Sequence, residues 1–153
     1  DIALLDNQQD KPVALFIHGN SACKEVFQKQ LYSKLSDKFR LISMDLPGHG
    51  ASDNAQNPQK TYCLPGYADA ALSVLDKLNI KKATVIGWSL GGHIALDILK
   101  RWSGMQGVLI TGTPPIPLTS EGFKKGFLPF PALHLMGQEK FTQEEAKTFA
   151  SQG

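Results

Sequence analysis

Gly87-Trp88-Ser89-Leu90-Gly91-Gly92 narrows the folds open to this chain more than any other stretch. It has the form G-x-S-x-G, with the apolar run Ala83 to Ile86 before it and the stripe Ile94, Ile98, Trp102 after it. A serine hydroxyl is a weak nucleophile and must stand exposed where a base can reach it. A sharp strand-to-helix turn exposes it, and Gly87 and Gly91 relieve the crowding of such a turn because they lack a Cβ. The helix that follows then directs backbone N–H groups toward negative charge developing on a substrate. The spacing therefore makes Ser89 a candidate nucleophile. It makes the Leu90 N–H a candidate oxyanion donor and puts the Trp88 side chain beside the reacting position as a candidate substrate contact.

The rest of the chain supplies a sheet for this turn. Val13 to Ile17, Phe39 to Met44, Ala83 to Ile86 and Gly107 to Ile110 are short apolar runs without clean alternation, which suits strands covered on both faces. Helical patterns lie between them, over Lys24 to Lys38, Tyr67 to Leu78 and Leu90 to Trp102. Strands alternating with helices predict α/β architecture: a parallel sheet with helices on both faces. After Thr111 the chain becomes rich in proline and glycine and leaves the sheet. Thr142-Gln143-Glu144-Glu145 then reads as a capping box opening a short helix through Phe149. The expected division is a core over residues 1–113 and the beginning of a second, helical element over 114–153.

His18-Gly19-Asn20-Ser21 follows the strand Val13 to Ile17, where a hydrolase of this layout takes its second oxyanion donor. That donor is assigned to Asn20, whose side-chain amide also suits substrate contact. In Asp45-Leu46-Pro47-Gly48-His49-Gly50, proline and glycine shape a tight turn, and Asp45 and His49 are expected to hold it by hydrogen bonds rather than to react. A phosphate-binding loop is excluded, because Gly19 to Lys24 lacks the Gly-Lys-[Ser/Thr] ending. Cys23 and Cys63 have no metal-ligand spacing, so no metal and no cofactor is expected. A net charge of +2 with no basic run longer than a lysine pair gives no reason to expect nucleic acid. No apolar run has membrane-spanning length and no signal peptide is visible, so the expected location is cytoplasmic.

In order and spacing, these three motifs resemble the α/β-hydrolase superfamily. Gly66-Tyr67-Ala68-Asp69-Ala70, the extended elbow Gly87 to Ile94, Ile110 to Pro115 and Gly137 to Phe141 are similar to the acyl-homoserine lactonases built on that fold. The resemblance implies Ser89 as nucleophile, Asn20 and Leu90 around the oxyanion, and a helical cap beginning near Ile116. It also implies a small-molecule ester or lactone as substrate, with ring opening of N-acyl-homoserine lactones as the specific expectation. Those lactonases carry a tyrosine on the cap helix. Phe149 stands at the corresponding position, so it is assigned to substrate contact with one hydrogen bond fewer.

The remaining members of a Ser–acid–His triad should follow the serine in that order. His93 lies one helical turn past Ser89, His134 lies in the expected cap, and no carboxylate ends the strand Gly107 to Ile110. The chain is therefore expected to hold an incomplete hydrolase core, without the acid and histidine of its triad, and to be inactive alone. Its last strand would leave an exposed sheet edge open to self-association. Other readings stay open: a generic carboxylesterase, a thioesterase, a carbon–carbon bond hydrolase, or a non-catalytic binding protein that retains the elbow.

Overall fold

Five strands form one sheet in the order β1-β3-β2-β4-β5 in the computed structural model, which describes residues 1–114, 132, 134, 135, 138, 140 and 142–151. The strands are β1 (Leu4–Asp6), β2 (Val13–Ile17), β3 (Arg40–Met44), β4 (Ala83–Trp88) and β5 (Met105–Thr111). β2, β3, β4 and β5 run parallel, and β1 closes one edge antiparallel to β3. The described helices are α1 (Gln28–Leu31), α2 (Pro58–Thr61), α3 (Leu64–Lys77), α4 (Leu90–Arg101) and α5 (Gln143–Ala150). The sequence reading of a parallel sheet with helices on both faces is what the chain adopts.

The two faces can be read off β2. Leu15 and Ile17 join Ile42, Met44 and Val85 under the stripes of α3 (Ala71, Val74, Leu75) and α4 (Ile94, Ala95, Ile98). Ala14 and Phe16 point the other way and pack with Leu41, Phe27 and Leu31. At roughly 25 cal/mol per Å² of apolar surface, each fully buried Leu or Ile contributes about 1.5–3 kcal/mol. β2 is therefore held rigidly from both sides. Its last residue leads directly into His18, so the loop that follows starts from a fixed point.

One element departs from the pattern. Lys24 to Lys38 is not a continuous helix but a 3₁₀ turn (Lys24–Phe27), the single turn α1, and a second 3₁₀ turn (Lys34–Asp37). Serine hydroxyls compete with the backbone here. Ser33 Oγ donates to the Gln30 carbonyl and accepts from the Leu35 N–H, and Ser36 Oγ donates to the Ser33 carbonyl. Three apolar residues at spacing four do not outweigh that competition.

The chain divides into two compact units, Asp1–Thr113 and Pro114–Gly153. In the second, Thr142 and Glu145 form the expected capping box at the start of α5, and Ala132 and Leu135 are buried. Residues 115–131, where the cap was expected to begin, lie outside the described residues. No helix among the described residues is long and apolar enough to cross a membrane. β5 carries Val108, Leu109 and Ile110 at 38%, 54% and 43% exposure, so among the described residues the outer edge of the sheet is open and apolar.

Candidate active site

Ser89 is the hinge between β4 and α4. It is the residue before the first turn of α4, with φ 53° and ψ −117°. A non-glycine residue at positive φ costs about 1–3 kcal/mol and persists only where the surroundings over-determine it. Here they do. The Ser89 N–H donates to the Thr111 carbonyl at 2.9 Å, and the Ser89 carbonyl accepts from the Gly92 N–H at 3.0 Å. The turn is so tight that a Cβ on Gly87 would lie 2.3 Å from the Gly91 carbonyl oxygen. Ser89 is half-buried, and its hydroxyl has no hydrogen-bond partner among the described residues.

The loop after β2 faces the same turn. A methyl group built on Gly19 would stand 3.1 Å from Ser89 Cβ and 3.2 Å from the Trp88 ring, so the Gly19 backbone lies against the elbow. His18 fixes this loop. Its Nε2 accepts from the Leu46 N–H at 3.0 Å, so Nδ1 carries the proton and donates to the Gly19 carbonyl at 2.7 Å. Burial pushes the His18 pKa down, which keeps the ring neutral with both nitrogens committed. In a trans peptide the carbonyl and the next N–H point in opposite directions. Holding the Gly19 carbonyl thus aims the Asn20 N–H away from His18. That N–H enters no backbone hydrogen bond among the described residues. The Asn20 side chain is exposed and donates to Ser21 Oγ at 3.1 Å. On the other side, Leu90 is the first residue of α4, and its N–H has no acceptor within the helix.

Of the residues singled out in the sequence, Ser89, Leu90, Trp88 and the Gly19–Asn20 loop come together at one end of the sheet. Trp88 is 38% exposed. Phe149 is half-buried on α5, in the second compact unit. His93, on α4, has an Nε2 enclosed by protein with no hydrogen-bond partner among the described residues.

The turn after β3 is held as expected, and by a partner that sequence reasoning missed. Asp45 is fully buried. It accepts from the Lys24 N–H at 2.6 Å, the Lys24 ammonium at 2.8 Å and the Ala51 N–H at 2.8 Å. His49 Nδ1 donates to the Pro47 carbonyl at 3.1 Å. Lys24 and Asp45 are 21 positions apart, and only the adjacency of β2 and β3 brings them together. Cys23, Glu25 and Asp45 bring ligand-type atoms within 4.8 Å of one another. The Lys24 ammonium, 2.9 Å from Glu25 as well, is already the cation of that cluster. Burial and the neighbouring Glu25 push the Cys23 thiol pKa up, away from a reactive thiolate.

This ion pair sets an acid limit on the fold. Burial alone would raise the Asp45 pKa, but the Lys24 ammonium and the two N–H donors outweigh it and hold the carboxyl below its ordinary value of 3.8. A depressed folded-state pKa contributes stability that is fully present above the ordinary value and is lost as pH falls below it. Asp45→Asn should cost about 3 kcal/mol near neutral pH, because it leaves the buried Lys24 with only the more exposed Glu25 carboxylate as counter-ion. Below about pH 4 its stability should fall less steeply than that of the parent. Urea denaturation at a series of pH values checks both. Parallel curves for parent and variant would remove Asp45 from the acid response.

Comparison with known proteins bears on the fold and its family. A profile of the alpha/beta hydrolase fold matches residues 12–127. The crystal structure of N-acyl homoserine lactonase AidH complexed with N-butanoyl homoserine is 41% identical, with a TM-score of 0.88 over 97% of this chain and 54% of that one. The bifunctional esterase/perhydrolase DCH of Acinetobacter calcoaceticus is 27% identical over 77% of this chain and 43% of its own length. The 2-succinyl-6-hydroxy-2,4-cyclohexadiene-1-carboxylate synthase of Klebsiella pneumoniae is 31% identical over 74% of this chain and 43% of its own length. The chain thus spans about half the length of these relatives.

Proposed function

Because the chain belongs to the alpha/beta hydrolase fold family, we propose that it carries the nucleophile and oxyanion hole of a serine hydrolase acting on carboxylic esters or lactones. The observation that carries this reading is the strained Ser89 at φ 53°, between β4 and α4 and facing the Gly19–Asn20 loop. Strain of this kind stabilises nothing in the fold, and it presents the hydroxyl at the end of the sheet. Ser89 Oγ attacks the substrate carbonyl. The N–H groups of Asn20 and Leu90 stabilise the oxyanion that forms, each by about 3 kcal/mol. Trp88 lines the substrate beside Ser89, and the assignment of Phe149 to substrate contact rests on the sequence resemblance alone, with a phenyl ring that offers apolar surface and no hydrogen bond. The base is not His18, whose ring nitrogens are both committed. No acid–histidine pair is assigned to Ser89 among the described residues. The open edge of β5 is the surface assigned to self-association.

Within that class, the reading with most support is ring opening of N-acyl-homoserine lactones, resting on the 41% identity to a lactonase of that specificity. A lactone is an ester, so the same serine and oxyanion donors serve, and no step calls for a metal. Generic carboxylesterase, thioesterase or carbon–carbon hydrolase activity is the second reading, favoured by comparable coverage of an esterase and a synthase at 27% and 31% identity. The intact enzyme, incubated with chelator and with homoserine lactones of short and long acyl chains, should open the ring as fast as or faster than it cleaves p-nitrophenyl acetate. Slow lactone opening beside fast aryl-ester hydrolysis would transfer the assignment to the esterase reading.

A further inference from the structure

Two peptide units present the candidate oxyanion donors, and each has its carbonyl oxygen held by a side chain. Across the Gly19–Asn20 peptide the holder is His18, as described above. Across the Ser89–Leu90 peptide it is Thr113, whose hydroxyl lies 3.0 Å from the Ser89 carbonyl oxygen. We propose that Thr113 is a positioning residue of the oxyanion hole: it fixes the Ser89 carbonyl and thereby aims the Leu90 N–H on the opposite side of the same peptide. This inference rests on the nucleophile reading above and assigns a further residue to that site.

Thr113 sits two residues past β5, 24 positions from Ser89, and belongs to the same compact unit. Its single hydroxyl proton has two acceptors in reach, the Ser89 carbonyl at 3.0 Å and the more distant Thr111 carbonyl at 3.2 Å. Thr111 in turn accepts from the Ser89 N–H. The segment Thr111–Thr113 therefore grips Ser89 on both sides, by its N–H and by its carbonyl. Gly92 makes the approach possible, since a Cβ there would lie 2.0 Å from Thr113 Oγ1. The Ser89–Leu90 peptide is the one most in need of a hold, because Ser89 sits at positive φ with ψ −117°. The Gly92 N–H holds the same carbonyl at 3.0 Å, so loss of the Thr113 hydroxyl loosens this peptide rather than frees it, and a loosened peptide lets the Leu90 N–H drift off the oxyanion. The ground-state carbonyl of a substrate needs that donor far less than the developing oxyanion does. Loss of the hold should therefore appear in kcat rather than in KM.

The test compares Thr113→Val, which keeps the shape and removes the hydroxyl, with Thr113→Ser, which keeps the hydroxyl, in the intact enzyme. Thr113→Val should lower kcat about 10- to 100-fold, less than or equal to the loss of a whole donor, with KM within about twofold. Binding of a trifluoromethyl ketone, which forms a tetrahedral oxyanion adduct, should weaken by a similar factor. Thr113→Ser should recover most of both. A Thr113→Val enzyme with normal kcat and normal ketone binding overturns the proposal, as does a variant in which only the melting temperature falls. Labelling of the parent with a fluorophosphonate separates the two levels. If Ser89 is labelled and Thr113→Val behaves as wild type, the Thr113 inference alone fails. If Ser89 is not labelled, the nucleophile reading fails and takes this inference with it.

Discussion

Ser89→Ala in the intact enzyme is expected to lower kcat/KM for esters and lactones by about 10⁴-fold or more, with the fold unchanged. The hydroxyl makes no hydrogen bond among the described residues, so its removal leaves no partner unsatisfied. Ser89 is half-buried at a turn, and loss of one oxygen there opens no core cavity. Alanine must still adopt the positive φ, held by the Thr111 carbonyl and the Gly92 N–H on the main chain. The variant should therefore melt within about 1 kcal/mol of the parent. Residual turnover should reflect only binding and the oxyanion hole, because the members of a nucleophile–base unit fail together. Steady-state kinetics beside circular dichroism of the same preparations check both halves. A variant that keeps most of its kcat would disqualify Ser89.

Gly91→Ala should fail in the opposite way, through the fold. A Cβ on Gly91 would lie 2.0 Å from the Ile17 carbonyl oxygen and 2.8 Å from that of His18. Both are backbone atoms at the end of β2, which is paired on one side with β3 and on the other with β4. β2 cannot give way without breaking a ladder, so α4 must lift from the sheet and uncover Ile94, Ala95 and Ile98. The expected cost is about 3 kcal/mol or more, at the upper end for overpacking. Gly107→Ala is the control: its Cβ would meet nothing nearer than Thr84 Oγ1 at 3.6 Å, so it should change stability by less than about 1 kcal/mol. Urea denaturation of the two variants gives the comparison directly. Equal stabilities would mean that α4 does not rest on β2 in solution as it does in this structure.

The parts of the fold legible in the sequence were those set by local periodicity. The four apolar runs became the four parallel strands, with ends shifted by at most two residues. The stripes after Gly66 and Leu90 became α3 and α4. The elbow was legible because its chemistry needs a local order of strand, glycine, serine, glycine and helix. What stayed hidden depends on which strands lie side by side. Lys24 reads as a surface lysine near the start of a helical pattern, yet it is buried against Asp45 because β3 lies beside β2. His18 gives no local sign of tying Gly19 to Leu46, and Thr113 looks like an ordinary loop residue until β5 is laid beside β4. The broken helix over Lys24 to Lys38 had a visible signal in Ser33 and Ser36, whose hydroxyls compete for backbone partners. β1, at the sheet margin, runs antiparallel to β3, and that direction carried no sequence mark.

The central claim is that Ser89 is the nucleophile, and covalent trapping tests it most directly. The intact enzyme is treated with a fluorophosphonate, digested and mapped by mass spectrometry. The account predicts one phosphonyl group per chain on Ser89, loss of activity in step with labelling, and no labelling of Ser89→Ala. Label on a different residue, or full turnover in a protein whose Ser89 is never modified, would contradict it.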